Sequence, residues 1–202
     1  MENNYQLIRT VVLEFLLFAC IASIPFLALY IDLFYLENMV EEESVVEYTQ
    51  SFCLIMMIIF FFRVAIKIKE KRSGFILITG FLLCMFIREQ DNLFDNLFFH
   101  GSWFYFVLPV VVICILYALR NSNSIIPGLK SFIMSKEYSV FLLGLVIILI
   151  TSRLLGMGRI WEYVLGLGYV RTAKHIIEEC SELFGYCFML FSVFRFTCKF
   201  KK

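Results

Sequence analysis

The residues able to do chemistry fall in three polar runs set against apolar ones. They are Glu41-Glu42-Glu43-Ser44-Val45-Val46-Glu47, Arg88-Glu89-Gln90-Asp91-Asn92-Leu93-Phe94-Asp95 and His175-Ile176-Ile177-Glu178-Glu179-Cys180-Ser181-Glu182. Spacing sorts them by helix face. Positions 175, 178, 182 and 186 follow the recurrence i, i+3, i+7, i+11, so His175, Glu178, Glu182 and Tyr186 share one face of a helix. Glu43, Glu47 and Gln50 share a face in the same way, as do Cys84, Arg88, Asp91 and Asp95 if their helix runs on through residue 95. Clustered carboxylate oxygens are the ligand set of Ca²⁺, Mg²⁺ or Mn²⁺, and an adjoining His or thiol would add Zn²⁺. His175, Glu178, Glu179 and Glu182 are therefore the candidate ligands of a divalent metal. The wider polar site takes in Glu43, Glu47, Arg88, Glu89, Asp91, Asp95 and Arg153.

The elements that must position these groups are apolar to an unusual degree. The chain has 202 residues, of which 61% are hydrophobic, with 24 Phe and only 3 Pro, and its mean hydropathy is +0.84. A soluble domain is nearer half apolar. Long apolar runs recur throughout, which predicts a single transmembrane domain over 1–202. The expected fold class is all-α: an integral membrane bundle of about six transmembrane helices, at about 10–35, 44–66, 75–88, 103–119, 138–155 and 172–196. The first apolar run is too long for the core of a signal peptide and ends in no small-residue cleavage site, so it reads as a retained helix, kinked at Pro25. Ser44-x-x-Glu47 has the spacing of a capping box, which gives Glu47 a structural role beside any functional one.

The connections differ in character. Gln90 to Ser102 carries Leu93, Phe94, Leu97, Phe98 and Phe99 and leads to Trp103, a composition suited to an interfacial cap or loop. Arg120 to Lys136 is a polar link with Asn121-Ser122-Asn123-Ser124 and Pro127-Gly128, and no chemistry is read there. Arg153 to Lys174 holds Gly156, Gly158, Gly166 and Gly168, and its apolar middle suits the membrane interface. The seven Cys form no CxxC, and nearly all sit inside apolar runs, so they read as packed free thiols. Cys180, beside Glu179 and near His175, is the one to watch.

Charge orients the bundle. Six helices put both chain ends on one side, and that side collects thirteen of the 18 Lys and Arg residues, leaving Arg88, Arg153, Arg159, Arg171 and Lys174 opposite. The excess of cations marks the cytoplasmic face, so both termini are expected in the cytoplasm; the cell membrane is expected to be a bacterial inner membrane on the separate ground that the sequence shows no eukaryotic targeting signal. Acids divide the other way: only Glu2, Glu14, Glu70 and Glu137 of the 17 fall on the inner side. The three polar runs then meet at the outer, periplasmic rim. A net charge of +1 does not favour nucleic acid, the lipid bilayer is the expected partner, and no protein partner is named by the sequence.

Burial makes the rim informative. A carboxylate at the centre of a membrane helix costs roughly 2.5–3.5 kcal/mol, and less toward the interface. Glu182 lies about 10 Å deeper than His175 along a helix, so it must be neutral, paired or bound to a cation. Arg88 and Arg153 are the expected partners. Three readings follow. One is a cation site supporting a membrane enzyme or sensing role. Another is a transporter or ion-pathway subunit, against which stands the scarcity of polar groups in the inner half. The third is a structural membrane partner whose Arg–carboxylate network does no chemistry. Whether the chain is an enzyme stays open. His100 and His175 are two lone His on one side, which disfavours haem as cofactor. HExxH, GxSxG and a phosphate-binding Gly loop are absent from the sequence.

Overall fold

A computed structural model describes residues 2–38 and 44–200. Its helices are α1 (Glu2–Phe34), α2 (Val45–Lys67), α3 (Arg72–Glu89), α4 (Asp91–Leu97), α5 (Trp103–Arg120), α6 (Ile125–Ile133), α7 (Tyr138–Val146), α8 (Ser152–Leu155), α9 (Gly158–Leu165) and α10 (Arg171–Cys198). A π-helical turn, Ile147–Thr151, joins α7 to α8 in one continuous apolar segment. No strand occurs among the described residues.

Length and composition make four of these helical segments able to cross a membrane: α1, α2, α5 and the α7–α8 segment. A fifth exists if α3 and α4, bent by 58° at Gln90, count as one span. The expected sixth, α10, is a continuous helix of 28 residues, but Arg171, Lys174, Glu178, Glu179 and Glu182 crowd its first half and lower its hydropathy. α1 is longer than expected, starting at Glu2, and continues unbroken through Pro25.

The centre of the bundle is α2, α3, α7 and α10, with α1 and α5 outside them. Only 11% of the apolar window of α1 and 6% of that of α5 are buried, against 39% for α2, so α1 and α5 present long apolar faces to their surroundings. Inside, the aromatic residues stack edge to face. Phe132 lies 4.9 Å from Phe196 and 5.1 Å from both Phe61 and Phe141, centroid to centroid. Such pairs add about 0.5–1.5 kcal/mol each beyond the area they bury.

Two contacts set where the polar residues end up. α7 and α10 cross at Gly144 and Gly185; a Cβ on Gly185 would stand 2.7 Å from the Gly144 carbonyl oxygen. Small residues at a crossing let backbones approach where lipid supplies no hydrophobic drive. The crossing holds α8 beside the first half of α10. At the other contact, Asp32 of α1 is completely buried and accepts hydrogen bonds from the amides of Val45 (2.8 Å) and Val46 (3.1 Å). A carboxylate from a neighbouring helix thus caps α2 at the positive end of its dipole. Ser44 adds its own cap, accepting from the Glu47 amide at 3.2 Å.

Candidate functional site

The rim is assembled from α2, α3, α8 and α10. Glu89 is the last residue of α3 and points across to α10, where the Tyr186 hydroxyl donates to its Oε2 at 2.8 Å. Gln50 lies five residues into α2 and is fully buried. Its Nε2 donates to the Glu179 carbonyl (3.0 Å) and to Glu179 Oε2 (3.1 Å). From α8, Ser152 Oγ, whose proton goes to the Ile148 carbonyl at 2.5 Å, stands 3.2 Å from Glu182 Oε1, and Arg153 reaches Glu178 Oε1 and Glu182 Oε1, each at 2.8 Å. Gly156 leaves the room Glu178 needs, since a Cβ there would stand 2.5 Å from its carboxyl carbon.

Glu89, Glu179 and Glu182 converge. One oxygen from each lies within 4.8 Å of the others, in a group that offers a cation several ligands. Each carboxylate is fixed through a single oxygen by a hydrogen-bond donor: Tyr186 on Glu89, Gln50 on Glu179 and Arg153 on Glu182. Glu89 Oε1 and Glu182 Oε2 accept no hydrogen bond among the described residues. Gln50 Oε1, on the same carboxamide that holds Glu179, is buried without a partner. Four carboxylates (Glu89, Glu178, Glu179, Glu182) face two cations at ion-pair distance, Arg153 and Lys174, the latter 3.7 Å from Glu178 Oε2. Ionised, they carry two more negative charges than those cations offset.

The candidate residues do not all meet. Of the expected metal ligands, Glu179 and Glu182 join Glu89 in the cluster, while Glu178 turns to Arg153 and Lys174. His175 Nδ1 lies 3.8 Å from Glu179 Oε1, beside the cluster. The single face expected for Arg88, Asp91 and Asp95 is broken, because the chain bends by 58° at Gln90, whose φ of −94° and ψ of 22° leave the helical region. Asp95 instead closes the loop after α4, accepting from the Gly101 amide (2.8 Å) and pairing with His100 Nδ1 (2.6 Å). Gly101 takes φ +81°, which that turn needs and an L side chain resists. Asp91 opens α4, and Arg88 is exposed with no ion pair among the described residues. Glu47 stands on α2 one turn before Gln50 and is half-buried. Glu43 lies outside the described residues.

Asp32 and Ser152 were missed by sequence reasoning. Asp32 had a signal, an acid inside an apolar run just ahead of a helix start; Ser152 had none, because a serine in an apolar helix ordinarily bonds its own backbone, as this one does to the Ile148 carbonyl (2.5 Å). All seven Cys are free.

Comparison with protein-family models, with curated proteins and with solved structures finds no match to this chain. What the fold and the site define is an all-helical protein with four to five membrane-length apolar helices and an acidic cluster at one end of the bundle.

Proposed function

We propose that this is a six-span membrane protein that binds a hard divalent cation at Glu89, Glu179 and Glu182, supporting an enzyme or sensing role at the outer surface. The observation that carries the reading is the convergence of three carboxylates within 4.8 Å, each oriented by a separate donor. Donors on the outside of a carboxylate cluster are how metal ligands are held in position. The all-oxygen set, with the Gln50 amide oxygen nearby, fits Mg²⁺, Ca²⁺ or Mn²⁺ better than a softer ion. With all four carboxylates ionised, a divalent ion would also balance the two negative charges that Arg153 and Lys174 leave over. The distribution of Lys and Arg supports cytoplasmic chain ends, with this cluster facing outward.

The test is the metal content of the detergent-purified protein after equilibration with Mg²⁺, Ca²⁺ and Mn²⁺. About one ion per chain is expected, lost in Glu179→Gln and in Glu182→Gln while helicity and elution volume stay unchanged. Arg153, bridging Glu178 and Glu182, favours a second reading in which the network only ties α8 to α10. A folded wild type that holds no metal, with Glu182→Gln unfolding the protein, would establish that reading instead.

A further inference from the structure

The opposite end of the bundle carries a second site. α3 spans 18 residues, so its two ends stand about 26 Å apart. At the end away from Glu89, the polar link that follows α5 folds back against the start of α3 and leaves a cleft. Its walls are Lys69, Arg72, Arg120, Tyr117 and the Asn121-Ser122-Asn123-Ser124 run, with Glu70 as the one acid.

The cleft is built by specific contacts. The Ser124 hydroxyl donates to Ser73 Oγ (2.7 Å) and accepts from the Ser73 amide (3.1 Å), while Ser73 Oγ donates to the Asn121 carbonyl (3.0 Å). α6 lies directly on α3: a Cβ on Gly128 would stand 2.8 Å from the Gly74 Cα. Arg72 is locked by hydrogen bonds from Nε to the Ala65 carbonyl and from Nη2 to the Ile66 carbonyl, both 3.1 Å, which leaves Nη1 uncommitted. Lys69 and Arg120 are exposed and make no ion pair or hydrogen bond among the described residues. Ser122 and Asn123 add uncommitted donors beside them.

Three cations, one carboxylate and several free donors around an open cleft are the chemistry of a phosphate site. The neighbouring surface indicates where the rest of the ligand lies. Above the cleft, α5 exposes Ile113 (65%), Leu116 (61%) and Leu119 (65%) along its outward face. We propose that this cleft binds a phosphate group, with the phosphodiester headgroup of an anionic phospholipid as the source and its acyl chains along α5. The inference is independent of the cation reading, because the two sites share no residue.

The test uses the full-length protein in mixed micelles, reading retained lipid by native mass spectrometry. The probes are phosphatidylglycerol, phosphatidylcholine and, without anionic lipid, glycerol 1-phosphate followed by thermal unfolding. The wild type is expected to retain phosphatidylglycerol in preference to phosphatidylcholine. Each cation near a lipid phosphate is worth roughly a fivefold preference, so Lys69→Gln with Arg120→Gln should lower it about twenty-five-fold. Lys136→Gln, an exposed lysine that does not line the cleft, should leave it unchanged. A melting shift from glycerol 1-phosphate that Lys69→Gln and Arg120→Gln remove, with no lipid preference, would keep the phosphate site and make its source soluble. Equal retention of both lipids with no shift from glycerol 1-phosphate would overturn the proposal. So would an equal loss in Lys136→Gln, which would mean general surface charge.

Discussion

The two ends of the bundle handle charge in opposite ways. At one end carboxylates sink between helices, and each is held by a donor from a different element: Tyr186, Gln50 and Arg153. At the other, cations stand at the edge of an open cleft, and two of them, Lys69 and Arg120, have no partner among the described residues. The difference follows from side-chain length. Lys and Arg carry their charge outward on a long apolar stem and remain solvated at a helix end. Glu and Asp cannot reach as far, so acids placed on inner helix faces must find donors within the bundle. The acidic end is consequently preorganised and the basic end is receptive.

Four perturbations sharpen that comparison, from the largest expected effect down. Gly185→Val drives a branched side chain into the Gly144 carbonyl and Ile148. It should cost about 3 kcal/mol, at the upper range for overpacking, and should displace Arg153 from Glu178 and Glu182. Melting temperature in detergent and metal content should therefore fall together; a variant with normal values for both would break the link between the helix crossing and the acidic end.

Arg153→Ala leaves Glu178 and Glu182 facing each other. Arg153 is 45% exposed, so the expected loss is about 2 kcal/mol, below that of a fully buried pair. Added Mg²⁺ or Mn²⁺ should then raise the melting temperature of the variant more than that of the wild type, since the cation takes over the missing charge. Equal shifts would argue against a cation at this cluster.

Asp32→Ala removes the cap on α2 and should cost about 1 kcal/mol, as helix caps do. The loss should appear as faster amide exchange at Val45 and Val46, with the basic end undisturbed.

The smallest effect belongs to the basic end. Burial pushes the Glu137 carboxyl up, but its hydrogen bonds with Lys199 and with its own backbone amide hold it, on balance, below the ordinary value of 4.5. A depressed carboxyl adds stability that is complete above its unfolded pKa and is lost as pH falls through the folded one. Melting curves below about pH 4.5 should therefore show the wild type converging on Glu137→Gln. The two should differ by about 0.5 kcal/mol near neutral pH, the scale of a half-exposed pair.

Much of the fold was legible from composition because lipid-crossing helices must be long and apolar, and that requirement is written residue by residue. The helices at 44–66, 103–119 and 138–155 correspond to α2, α5 and the α7–α8 segment to within a residue or two. The break after Glu89 was not legible. Asp91 to Leu97 is as helical as what precedes it, and the bend lies in the backbone of one residue, Gln90, at φ −94° and ψ 22°.

The site divides along the same line. Sequence alone placed the acids of α10 at helical spacing near one end of the chain's apolar segments, because periodicity within one helix is a local property. It also marked the segregation of Lys and Arg, which follows from simple counting. Which acids meet was decided by tertiary structure. Glu89 joins Glu179 and Glu182, while Asp95 turns away to Gly101 and His100, because a one-residue break in α3 rotates everything beyond it. Arg153 reaches α10 because Gly144 and Gly185 let two backbones touch, a condition that lies on two helices at once and that neither one shows alone.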